Sequence, residues 1–80
     1  MKRFFSIETV EAAIVRSVDV NQKRMTISFS DGDSIKVSRD HFKGMIPYPG
    51  HVIVRDADGR LTCRVAGEFF SRFVEKQEAA

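Results

Sequence analysis

The sequence predicts a mainly β (β+α) fold: a small antiparallel sheet of four to five strands, curled into a partly open SH3-like barrel, with a C-terminal helix. Three observations carry this reading. Apolar and polar residues alternate over 23–30, the pattern of a strand with one buried face. Two β-branched segments return on themselves at Asp31-Gly32-Asp33 and Asp56-Ala57-Asp58-Gly59, both hairpin signals. Finally, Phe69, Phe70, Phe73 and Val74 recur at helical spacing in the segment 67–77.

Eighty residues make one domain, 1–80, near the lower limit for a core without staples. Hydrophobic residues are 42% and charged residues 30%, which excludes a disordered chain. No run reaches the roughly 18 apolar residues of a membrane span. The opening MKRFFSIE gains a charge before an apolar stretch develops, unlike a secretory signal. With a single cysteine, these features predict a soluble protein of a reducing cytoplasm.

Residues 1–10 read either as an edge strand around Phe4 and Phe5 or as a partly ordered lead-in. In 11–20 (EAAIVRSVDV), Ala12, Ile14, Val18 and Val20 share one face at period two. Arg16 interrupts that face, placing it near a sheet end or snorkelling outward. Ala13 and Val15 point the other way, toward the N-terminal segment.

The clearest strand follows, with Met25, Ile27 and Phe29 inward. Its expected hairpin sets Ser30 opposite Ser34, Phe29 opposite Ile35 and Ile27 opposite Val37. Ser38 can cap a helical turn over 39–42 that Gly44 ends, with Met45 and Ile46 covering the core. The second hairpin, with Arg55 opposite Arg60, pairs Val54 with Leu61 and Val52 with Cys63, all inward. His51, Ile53 and Arg55 then face outward with Arg60, Thr62 and Arg64. In the final helix, Glu68 near the start and Lys76 near the end suit the helix dipole, and 77–80 fray.

Chemistry is sparse. Cys63 and His51 are the one pair resembling a thiol nucleophile and base, and the expected register puts them on opposite faces. His41 lacks a second ligand at metal spacing. The acids at 31/33 and 56/58 sit in turns, where carboxylates bond their own backbone. No phosphate-binding glycine loop or nucleophile elbow occurs. The sequence therefore reads as a non-enzyme without metal or cofactor.

A basic sheet face is the sharper signal. Arg24, Lys36, Arg55, Arg60 and Arg64 fall on polar sides of their strands, and together would track a phosphate backbone. Only Tyr48 offers an accompanying aromatic, whereas stacking platforms use several.

The stretch Pro47-Tyr48-Pro49-Gly50-His51-Val52-Ile53-Val54, with Asp58-Gly59, Cys63 and Phe69…Phe73, resembles small accessory proteins of tailed phages and prophages. Their chains often end in a Pro-Gly-Asp-like turn, a hairpin with Asp-Gly and a Phe-containing helix. The opening TVEAAIV also resembles that family's first strand. Most such proteins have no assigned activity, so the resemblance implies a setting, the bacterial host cytoplasm.

The combined expectation is a non-enzymatic phage accessory protein that binds a host or phage protein through Tyr48, Ile53, Arg55, Arg60 and Arg64. Inhibition of a host enzyme or defence complex is one form of it. A nucleic-acid-binding barrel using Arg24, Lys36, Arg55, Arg60 and Arg64, or a minor virion component, are the alternatives. Homodimerisation through a sheet edge is compatible with either.

Overall fold

A computed structural model describes residues 1–6 and 8–75. The expectations placed on Lys76 and on 77–80 lie outside them. Seven strands and one helix follow in order: β1 (Lys2–Phe5), β2 (Thr9–Val20), β3 (Arg24–Phe29), β4 (Ser34–Ser38), β5 (Val52–Arg55), β6 (Leu61–Arg64), α1 (Ala66–Arg72) and β7 (Val74–Glu75). The fold is mainly β, an open antiparallel sheet with a C-terminal helix. The strands exceed the expected four to five because the N-terminal lead-in is a strand and the chain after α1 returns as another.

The twelve-residue β2 is the axis of the sheet. Its first half pairs with β1 through Phe4↔Val10 and Lys2↔Ala12, and with β5 through Ala12↔Val54 and Ile14↔Val52. Its second half pairs with β3 through Val18↔Ile27 and Val20↔Met25. The edges are fixed by hydrogen bonds at the midpoint. Val15 N–H donates to His51 O, and Val15 O accepts from Gly50 N–H, both at 2.8 Å. Ile14 O accepts from Ser30 N–H at 2.9 Å, on the opposite edge. Strands β1 and β3 therefore lie end to end along one edge of β2, and β5 lies along the other.

Between Val15 and Ser17 the register with β3 shifts, so Arg16 is the extra residue of a β-bulge. An inserted residue reverses the phase of the alternation and bends the strand. Before it, Val10 and Ala12 face one way and Ala13 and Val15 the other; after it, Val18 joins the face of Val15. Hence Ala12, Ile14, Val18 and Val20 do not share a face, and Arg16 is exposed mid-strand rather than at a sheet end.

Two cores result, one on each side of β2. Phe4, Val10, Ala12, Val52, Val54 and Phe69 form the first. Ala13, Val15, Ile27, Phe29 and Ile53 form the second, with Ile35, Val37, Leu61 and Cys63 packed against it. Ala13 and Val15 thus meet β3 and β5, and the N-terminal segment reaches their core through Met1, while its Phe4 lies on the other side. Met45 and Ile46 are exposed, so they do not cover the core; Pro47 beside them is fully buried instead.

Both hairpins turn by the same device. Phe29 N–H donates to Asp33 O, and Asp56 N–H donates to Arg60 O, leaving three-residue loops that end in Gly32 (φ 94°) and Gly59 (φ 83°). A left-handed third residue is the bulged turn that glycine favours. In the first loop, the Asp33 N–H donates to Asp31 Oδ1, and that bond holds the Asp31 carboxyl below the usual carboxylate range. Asp56 Oδ1 likewise accepts from Asp58 and Arg60.

The turns correct both expected registers. Ile27 faces Ile35 and Met25 faces Val37, a slip of two residues that keeps every apolar side chain inward. In the second hairpin Arg55 faces Leu61, Val54 faces Thr62, Ile53 faces Cys63 and Val52 faces Arg64. That slip is one residue, and it moves Leu61 and Cys63 from the face of Val52 and Val54, which stay buried in the first core, to the face of Ile53. Ile53 is therefore in the second core at 0% exposure and is no surface contact.

The segment 39–45 is a run of tight turns rather than a helical turn: His41 N–H bonds Ser38 O, and Lys43 N–H bonds Asp40 O. Helix α1 is shorter than the expected 67–77. Phe73 leaves it in extended conformation (φ −117°, ψ 138°), and Val74 pairs with Phe5. With no side-chain cap, α1 is held by aromatic packing. The Phe69 ring meets Phe4 edge-on at 5.0 Å and stacks on Phe73 at 4.7 Å.

The two registers of the second hairpin differ in what Ile53 contributes. Ile53→Ala is expected to cost about 2–5 kcal/mol in urea unfolding, as for a buried aliphatic residue. A cost within about 0.5 kcal/mol, the surface value, contradicts the observed pairing.

Candidate interaction surfaces

The cations once grouped on a single face are dispersed. Arg55 shares a face with Ile53, Leu61 and Cys63, whereas Arg64 shares the opposite face with Val52 and Thr62. Arg55 Nη1 lies 4.0 Å from Glu11 Oε1, in a polar cleft of about 320 Å³ that Arg3 and Asp56 also line. Arg24 and Lys36 are exposed on the β3–β4 hairpin, beside Ser38 and Thr26. Arg60, just before β6, and Arg64, its last residue, remain together, both exposed and on one side of the strand. A continuous phosphate-tracking face built from all five is thus absent from the geometry, because the one-residue slip sends Arg55 and Arg64 to opposite sides.

Tyr48 is 69% exposed, as expected of a rim residue. Its backbone N–H donates to His51 Nδ1 at 3.0 Å, and the two rings lie 5.6 Å apart. This bond occupies one imidazole nitrogen of His51 in holding the proline turn. Cys63 is half-buried against the second core, and burial pushes its thiol upward from the ordinary value. A raised thiol pKa leaves less thiolate and a poorer nucleophile. Among the described residues, no three His, Cys, Asp or Glu side chains converge as a metal site. No described helix is long and apolar enough to cross a membrane.

A second concavity lies elsewhere. A groove of about 550 Å³ runs beside α1 and β7, lined by Ile14, Phe70, Phe73 and Val74, with Lys2 and Glu75 among its walls. Its origin is the short helix. Val10, Ala12 and Ile14 succeed one another along one face of β2, and the aromatic residues of α1 cover only the first two. Ile14 is left 39% exposed, Phe70 43% and Val74 70%. The Lys2 Nζ–Glu75 Oε1 ion pair at 3.2 Å ties β1 to β7 along this side.

Sequence reasoning set Ile14 on the apolar face of its strand, and Phe70 and Val74 on the apolar stripe of the final helix. One signal to the contrary was available. Adjacent residues of a helix point about 100° apart, so Phe69 and Phe70 cannot both face the sheet squarely. For Ile14 the deciding feature is the early end of α1, which is set by the distant pairing of Val74 with Phe5.

Scans of protein-family models, curated proteins and solved structures returned no match to the chain.

Native Cys63 is expected to react with a disulfide reagent at pH 8 at least tenfold more slowly than in the urea-unfolded chain, read as absorbance against time. Equal rates contradict a thiol held protonated by packing.

Proposed function

We propose that this chain is a small non-enzymatic binding protein that docks on another protein, with an apolar anchor of the partner seated in the groove beside α1. The observation that carries this is the collection of Ile14, Phe70 and Val74 at the surface of one concavity, on a chain with otherwise well-buried cores. Contiguous exposed apolar surface around a concavity is characteristic of sites that bind partners. The predicted docking residues Ile53 and Arg55 give way to these three, since one is core and the other lines a different cleft.

The setting is that of the resemblance: an accessory protein made in the cytoplasm of a phage-infected or lysogenic bacterium, acting on a host or phage protein. Obstruction of a host enzyme or defence complex is the form this takes most simply, because a small rigid domain blocks a surface without chemistry of its own.

The test is site-specific photo-crosslinking in bacterial cells, with a benzophenone amino acid at position 70 or, as control, at the exposed position 36. The account expects a discrete protein adduct from position 70 that is absent from position 36. A second substitution, Val74→Asp, is expected to reduce that adduct at least tenfold while leaving the circular dichroism spectrum and melting temperature unchanged. Equal crosslinking from both positions, or adducts to nucleic acid, overturn the reading.

A further inference from the structure

We propose that the outer edge of β6 is a second binding surface, distinct from the groove, that accepts an extended acidic peptide segment as an added antiparallel strand. Among the described residues β6 pairs only with β5. The Arg60 carbonyl accepts from Asp56 N–H on the β5 side at 3.0 Å. By alternation Thr62 and Arg64 also turn their backbone groups toward β5, and Leu61 and Cys63 turn theirs outward. Those outward donors and acceptors are a template for another strand.

The side chains on this edge specify the strand. Arg60, Thr62 and Arg64 lie on one side, and Leu61 and Cys63, half-buried, on the other. The two arginines are four residues apart, which sets their Cα atoms about 13 Å apart at ~3.3 Å per residue. Neither makes an ion pair with a described residue, and the nearby Asp56 carboxylate has one oxygen committed to two backbone N–H groups. A fitting partner carries carboxylates at positions i and i+4, facing Arg64 and Arg60, and apolar residues between them facing Cys63 and Leu61.

The alternatives fit less well. A second copy paired antiparallel about Thr62 would set Arg60 opposite Arg64 of its mate, like charge against like. The outer edge of β4 offers one cation, Lys36, flanked by Ser34 and Ser38. Among the described residues the edge of β7 is two residues long.

The experiment is a titration of the full chain, ¹⁵N-labelled, with a synthetic peptide containing Glu-Val-Thr-Val-Glu and with its Lys-Val-Thr-Val-Lys counterpart. At low salt, saturable binding of the Glu peptide alone is expected, with the largest amide shifts at Leu61 and Cys63. Added salt weakens it. The double variant Arg60→Glu/Arg64→Glu is expected to lose at least tenfold in affinity for the Glu peptide and to gain the Lys peptide. That exchange of preference also reports that the variant is folded. The proposal is overturned if both peptides bind alike, if neither binds at millimolar concentration, or if the shifts fall on β4. Self-association through β6, seen by light scattering and unaffected by the Glu peptide, overturns it as well. Phe70→Asp leaves this binding intact, which separates its outcome from that of the groove.

Discussion

The whole structure depends on one strand being buried on both sides. Ala12 and Ala13 are adjacent and both buried, one in each core. A strand covered on both faces reads as a near-continuous apolar run, and AAIV is such a run. A flat two-sided strand in a chain of 80 residues would need more covering structure than the chain has. The bulge at Arg16 resolves this by bending β2, so that β3 and β4 fold over the second core while β1 and α1 cover the first. Arg16 itself is ejected to solvent. The arginine in the middle of this apolar strand is thus the bulged residue and not a fault in the pattern.

What was legible in the sequence follows from how errors propagate along strands. The β3–β4 hairpin was misregistered by two residues and its buried face was still right, because side chains repeat every two. The β5–β6 hairpin was misregistered by one, so Leu61 and Cys63 share the face of Ile53 rather than that of Val52 and Val54, and Ile53 is buried where the surface was expected. Both errors have the same source. An Asp-Gly turn admits loops of different length, and only the hydrogen bonds Phe29–Asp33 and Asp56–Arg60 reveal the three-residue form. The identities of β2 to β6 and of the two Asp-Gly turns are local properties and were recovered. Phase within β2, the exit of Phe73 from α1 and the pairing of β7 with β1 depend on distant partners, and no local signal carries them.

The same slip accounts for the relocation of the candidate site. With Arg55 and Arg64 on opposite faces, positive charge is spread thinly over the molecule, in keeping with a net charge of +2. What remains concentrated is apolar: the groove where α1 ends short of Ile14, and the half-buried back of the β6 edge. At each, no element among the described residues finishes covering the apolar surface. Binding function, in this account, lies in what the short helix and the last strand of the second hairpin leave open.

The phase reversal in β2 is open to direct observation by a methyl nuclear Overhauser spectrum of the ¹³C-labelled protein. The account requires Val15 and Val18 to share cross-peaks with Ile27 and Phe29, while Ile14 shows cross-peaks to Val52 or the Phe70 and Phe73 rings and none to Ile27. Cross-peaks joining Ile14 and Val18 to Ile27 on one face would mean that β2 alternates without interruption, and would contradict the two-sided core.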